Sequence, residues 1–367
     1  MTVIIANIVL FISLSVWTGI HLVEALPKRK RPSLKISRKW PPIIGVMIII
    51  ASSIPAFLVA QSTAEMFGVP LVSTLGSVLL EYRIGQSAVV VFILIVVTLL
   101  ARFTLEKRPH LMWIHLIPTF GLFVASSWSA HAASLADTGF FLNVFHLMAA
   151  SIWAGTLLTV GFFASKERDG NWLQFFRWFT PFAIGLVLTM IGTGIGMMMM
   201  ITPDYTDSWL LDYGQLQVLK HLLFIPLVFY GFAHGFLMKK KLKRGLAEEK
   251  TVRSVRMEAV LLIAIFIVTG GMINQEPPHV VAETLAYTEM AVPAESLITT
   301  SFEVDEEIVW TLTLTTGLLI FTGVFILGLF IDHVGNARRP LAVPIYVALF
   351  VICIYSAIMF GAVKIPA

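Results

Sequence analysis

Ten stretches of this chain are apolar over the length a helix needs to cross a hydrocarbon layer, and that pattern limits the fold more than any motif does. A layer about 30 Å thick takes roughly 20 residues as a helix, and lipid offers no partner to a free backbone N–H or C=O. The stretches run from about Val3 to Val23, Pro41 to Ala60, Gln86 to Ala101, Leu111 to Ala130, Phe140 to Phe163, Trp178 to Ile201, Gln215 to Met238, Met257 to Ile273, Ile308 to Ile331 and Ala342 to Val363. With 57% hydrophobic and 13% charged residues and a mean hydropathy of +0.85, 367 residues hold too little polar surface to cover a water-soluble core. The expected fold is therefore all-α, a polytopic integral membrane protein of about ten transmembrane helices. The first segment lacks a basic leader and a small-residue cleavage site, so it reads as a retained helix.

Lys and Arg resist translocation and collect on the cytoplasmic side. With the N-terminus outside, the inner connections hold seven basic residues from Lys28 to Lys39, then Arg102, Lys107 and Arg108, then Lys166, Arg168 and Arg177, then eight from Lys239 to Arg256, and finally Arg338 and Arg339. That is 23 of the 26, leaving Arg83, Lys220 and Lys364. A wrong helix count would scramble the alternation, so the bias predicts both ten spans and a topology with both termini outside the cytoplasmic (plasma) membrane. The net charge of +4 resides in these loops, which excludes nucleic acid as a partner and points to contact with the lipid bilayer.

Ser15-Val-Trp-Thr-Gly19 resembles Ser151-Ile-Trp-Ala-Gly155, and Leu79-Leu-Glu-Tyr82 resembles Leu210-Leu-Asp-Tyr213, at offsets of 136 and 131 residues. Equivalent places in a four-helix unit suggest tandem four-helix repeats. The domain expectation is an N-terminal four-helix unit over 1–131, a second over 132–280, an acidic outer loop over 281–307 and two C-terminal helices over 308–367. The acidic connection carries Glu276, Glu283, Glu289, Glu295, Glu303, Asp305, Glu306 and Glu307 without a Lys or Arg, and reads as a solvated linker. The Gly192 to Gly196 run lies inside a helix and follows no strand, so it reads as close packing rather than a phosphate loop. A lone Cys353 excludes an internal disulfide and a C-x-x-C metal motif.

Ionisable side chains at membrane depth are costly and mark function. An outer layer holds His131, His146, Lys220 and His221, and an inner layer holds His21, His115 and His234. His221 and His234 are 13 residues apart, about 20 Å along a helix, so the layers are separate sites. Met197 to Met200 and Met272 join the outer layer, with Met197 and Met200 on one helix face. Thioether sulfur suits Cu(I) and imidazole suits both copper states, so Met197, Met200, Met272, His131, His146 and His221 form a candidate outer copper site. His21, His115 and His234 are a candidate inner one. For each histidine the competing reading is packing through a hydrogen bond to a neighbouring helix, and for the Met run it is a lipid-facing or core filler. Lys220 reads as a partner for Glu276, as a proton carrier or as a snorkelling interfacial residue, and Trp153 as packing or a gate.

His146-Leu-Met-Ala-Ala-Ser-Ile-Trp153-Ala-Gly155 resembles the H-x-x-A-A-x-x-W-x-G signature of the copper resistance protein D (CopD) family. Ser129-Ala-His131-Ala-Ala, Leu219-Lys220 and Asn274-Gln-Glu276-Pro-Pro278 extend the similarity, which covers about 111–279. The resemblance implies copper movement across the cytoplasmic membrane, in uptake or resistance, rather than an enzyme. Some relatives carry a fused copper-binding β-domain; this sequence has none, so a separate extracytoplasmic copper-binding protein is the implied partner. A second class fits the same histidine layers: a b-type membrane cytochrome with haem b between the helices, for which the spacing of 16 between His115 and His131 matches 13 poorly. A third is a scaffold that binds no metal.

Overall fold

The structure, a computed structural model, describes residues 1–105, 108–165, 171–245, 248–336 and 340–366, with the side chains of Pro109, His110 and Pro340 outside the description. Lys107, Lys166, Arg168, Arg338 and Arg339 of the basic connections also lie outside the described residues. Among those described, ten helices of 18 to 31 residues are long and apolar enough to span a membrane: α1 Thr2–Ala25, α2 Trp40–Phe67, α3 Arg83–Leu105, α4 Leu111–Trp128, α5 Asp137–Phe163, α6 Trp172–Ile201, α7 Asp212–Leu242, α8 Glu248–Met272, α9 Leu314–Gly335 and α10 Val343–Gly361. The protein is an all-α polytopic membrane protein, as its hydropathy requires.

Local chemistry sets several helix ends. Pro41 and Pro42 open α2, where a missing N–H costs nothing, and Gly68 closes it at φ 64°, a left-handed turn that a side chain resists. Thr313 and Thr316 close a reciprocal capping box at the start of α9. In α7 the helix loosens into a π segment at Ala233–Met238, a few residues after Pro226.

The chain forms two compact units, Met1–Met197 and Met198–Ala367. In the first, Leu14, Trp17 and Ile20 of α1 pack with Ile44, Ile48, Val91, Ile95, Leu122 and Phe123. The closest crossing joins α1 to α5, where the two similar passages meet. A Cβ on Gly19 would stand 1.9 Å from the Gly155 carbonyl oxygen, and one on Gly155 1.9 Å from that of Ser15. Only hydrogen fits between backbones this close, which is the small-residue packing of membrane helices.

In the second unit the acidic connection is not the solvated linker expected from its charge. It folds into the short helices Val281–Leu285 and Val292–Leu297 and strand β1, Glu306–Trp310. β1 pairs antiparallel with β2, Ala362–Pro366, setting Ile308 opposite Lys364. Val281, Ala291, Ala294 and Ile308 bury with Trp209, Leu210, Leu211, Met359 and Ala362. The apolar positions of the segment form this cap, while its carboxylates face outward. Asp207 holds β1 by accepting the Ile308 amide at 2.7 Å.

Burial lifts the Asp207 carboxyl above its usual range, outweighing the Ile308 hydrogen bond, which acts the other way. The folded cap thus binds that proton more tightly than the unfolded chain does. Its contribution to stability is complete below the unfolded pKa and is lost as pH rises through the raised folded value. Hydrogen-exchange protection of the Ile308 amide, corrected for intrinsic rate, is expected to weaken from the carboxylate range toward neutrality, and Asp207→Asn to flatten that dependence.

Candidate functional site

In the first unit, His21 sits one turn after Trp17 on the buried face of α1, and His115 ends the 3-10 turn that leads into α4. Both are fully buried. Their rings meet edge to face at 5.5 Å between centroids, and His21 packs on Trp17 at 4.5 Å. His21 Nδ1 lies 2.8 Å from the Trp17 carbonyl. A carbonyl only accepts, so Nδ1 carries the hydrogen and the lone pair sits on Nε2. That Nε2 has no partner, nor has the indole Nε1 of Trp17, and His115 faces the backbone of Ala101. Unmet buried polar atoms cost roughly 1–3 kcal/mol each, which makes this cluster of rings the candidate site of the first unit. At the same level Arg102 of α3 clasps Glu24 of α1 through both guanidinium nitrogens, the Nη2 bond measuring 3.0 Å.

His234, assigned by sequence to the same inner layer, belongs to the second unit and has its own company. Its Nδ1 is 2.8 Å from Glu258 Oε2 of α8 and its Nε2 is 2.9 Å from the Ser254 hydroxyl. Tyr230 donates to the Ser254 carbonyl at 3.0 Å and tilts over the imidazole at 4.8 Å. With Nδ1–H given to Glu258, the Nε2 lone pair of His234 faces the Ser254 hydroxyl. Glu258 was missed in the sequence because the eighth apolar stretch was started at Met257, which put Glu258 at its edge. The helix starts at Glu248, so Glu258 lies nearly three turns inside and only 1% exposed. A carboxylate so placed is itself the signal that could have found it.

The outer residues divide between the units. In the first, His146 Nδ1 faces the Met190 carbonyl and the Thr193 hydroxyl, both at 3.1 Å, which is the helix-to-helix hydrogen bond of the packing reading. Trp153 is buried on α5, Met197 is half-buried on α6, and His131 is exposed at the start of the short helix His131–Leu135. In the second, the Tyr205 hydroxyl meets His221 Nδ1 at 3.2 Å. Met272 is buried at the end of α8, and Met200 half-buried in the last turn of α6. Glu276 is exposed beyond α8, and among the described residues no ion pair joins it to Lys220. No three His, Cys, Asp or Glu among the described residues stand close enough together to hold a metal by themselves.

Ten apolar spans with buried imidazole, carboxylate and guanidinium groups define a polytopic helical membrane protein with ionisable side chains inside its helix packing. Residues 173–272 match the family described as Copper resistance protein D. The match takes in Lys220, His221, His234, Glu258 and the Met residues, and leaves out His131, His146 and Trp153. The chain is similar to Copper transport protein CutJ of Bacillus subtilis (strain 168), with 26% identity over 182 residues, 47% of this chain and 32% of the relative. It thus spans about a third of the length of the curated relative it matches. No solved structure matches it.

Proposed function

We propose that this protein moves copper ions across the cytoplasmic membrane, in uptake or resistance, by handing them between imidazole and thioether donors. The observation that carries the reading is the His21–His115 pair: buried at membrane depth, with an Nε2 lone pair on His21 left over by the Trp17 hydrogen bond. A histidine that ligates metal ordinarily gives its other N–H to a carbonyl or carboxylate, which is the arrangement here. Two neutral imidazoles and soft sulfur suit copper over harder cations. The match of residues 173–272 to the Copper resistance protein D family and likeness to a protein named for copper transport support the same cargo.

In this scheme His131, His146 and Met197 are the receiving donors of the first unit and His221, Met200 and Met272 those of the second, and His21 with His115 pass the ion on. His234, oriented by Glu258, is the candidate donor of the second unit at the inner end. The basic-residue bias supports both termini outside, with an extracytoplasmic copper-binding protein delivering or receiving the ion. No catalysis is assigned.

Cellular copper distinguishes the readings. Cells making the intact protein are compared with cells making His21→Ala with His115→Ala, and His131→Ala with His146→Ala. A several-fold lower content in the variants means import, and a higher content means export. Equal copper in all three overturns the proposal. Purified protein with a dithionite-reducible Soret band and no bound copper would put haem in its place.

A further inference from the structure

The donors and the charge at the His21–His115 pair limit which metal ions it can take. His21 gives Nδ1–H to the Trp17 carbonyl at 2.8 Å, which leaves the Nε2 lone pair without a partner. A proton there would be a buried charged donor with no acceptor, so the ring is held neutral. His115 faces the Ala101 backbone, and a neutral imidazole that gives its N–H there keeps a lone pair on the other nitrogen. Both residues are 0% exposed, so the pair offers two nitrogens shut off from solvent. An ion about 2 Å from a nitrogen of each ring holds the ring centroids no more than about 6 Å apart. The observed 5.5 Å falls inside that limit.

A soft monovalent ion accepts as few as two donors, whereas Cu(II) prefers a square-planar or tetragonal set. No carboxylate completes such a set: among the described residues no three His, Cys, Asp or Glu stand close enough to share an ion. Glu24, the acid that reaches His115, is clasped by Arg102 through both guanidinium nitrogens. The Arg102 charge reaches both rings and opposes a cation there. Taking an ion out of water costs in proportion to the square of its charge, about four times as much for a divalent ion as for a monovalent one of the same size. Trp17, packed on His21 at 4.5 Å, adds a polarisable ring to the surroundings and no charge.

We infer that His21 and His115 form a site for soft monovalent ions, Cu(I) and Ag(I), and that copper passes this level of the protein as Cu(I). The passage of copper rests on the copper reading; the preference for a soft monovalent ion rests on the pair alone. Silver shares the charge and softness of Cu(I) without its redox chemistry, which makes it the probe for the site.

The test uses the full-length protein in two settings. In detergent, Ag(I) is expected to quench tryptophan emission, and the Trp17 share of that quench is the part lost in Trp17→Phe. His21→Gln with His115→Gln should lose the same share, and Cu(II) should leave it unquenched. In proteoliposomes, copper flux through the intact protein is expected to be roughly tenfold or more faster with ascorbate than without it, and to be blocked by Ag(I). Cu(II) quenching the Trp17 share as Ag(I) does overturns the inference, as does an Ag(I) quench that is the same in the intact protein and the folded double variant. Copper flux that needs no reductant and ignores Ag(I) overturns it too, whether or not the variants fold. If the intact protein moves no copper in either oxidation state, the copper reading falls, and the silver titration of the intact protein against Trp17→Phe then decides whether the pair is a soft monovalent site.

Discussion

Gly155→Leu is expected to destroy the folded first unit. The Cβ of any residue there would stand 1.9 Å from the Ser15 carbonyl oxygen and 3.0 Å from the Gly19 nitrogen, and all of these are backbone atoms. Overpacking a core costs about 1–3 kcal/mol when side chains can turn aside. Here nothing can turn, so α1 and α5 must separate, taking Trp17, Leu14 and Val144 out of the common core. The loss therefore exceeds that range. Gly185→Leu in α6 is the control, because a Cβ there meets nothing within 4 Å. Melting in detergent and size-exclusion profile give the comparison, and a Gly155→Leu protein that melts with its Gly185→Leu counterpart would sink the packing account.

Arg102→Leu is expected to have the second largest effect. It strands Glu24, whose carboxylate accepts both guanidinium nitrogens. Removing one partner of a buried pair costs roughly 3–5 kcal/mol, chiefly because the other charge is left unmatched. The side chains of Arg102 and Glu24 are 20% and 17% exposed, so water screens part of the loss and about 2–3 kcal/mol is expected. The double variant Glu24→Gln with Arg102→Leu removes both charges and should recover most of it. Equal destabilisation of the single and double variants would show that the penalty is not electrostatic. The imidazoles of His21 and His115 stand near Arg102, so the same single variant should also disturb copper passage.

How much of this was legible beforehand varies by residue. The ten spans were read correctly in number, yet the third and eighth were drawn short. α3 begins at Arg83 and α8 at Glu248, because charged residues at a membrane interface keep the backbone helical while sending their heads to water. Hydropathy measures the apolar stretch and not the helix, and that difference hid Glu258. His21 and His115 were grouped from their depth alone, and the structure brings them together. Depth also grouped His234 with them, and the structure gives it Glu258 and Ser254 as partners within the second unit. The acidic segment was misread because charge dominates its composition; its spaced apolar residues needed partners from Trp209 to Leu211 and from β2 to become a core.

Sequence alone determined that this chain crosses a membrane about ten times as helices, since lipid leaves the backbone no other way to satisfy its hydrogen bonds. It also picked out the histidines and methionines inside those spans, though not Glu258. Only the tertiary structure decided which of them meet. Glu258 is 24 residues from His234 and His115 is 94 from His21, distances over which no helical period carries information. Partners at such separations are chosen by helix packing, and packing turns on contacts such as Gly19 against Gly155, where the absence of two side chains sets how closely two helices approach.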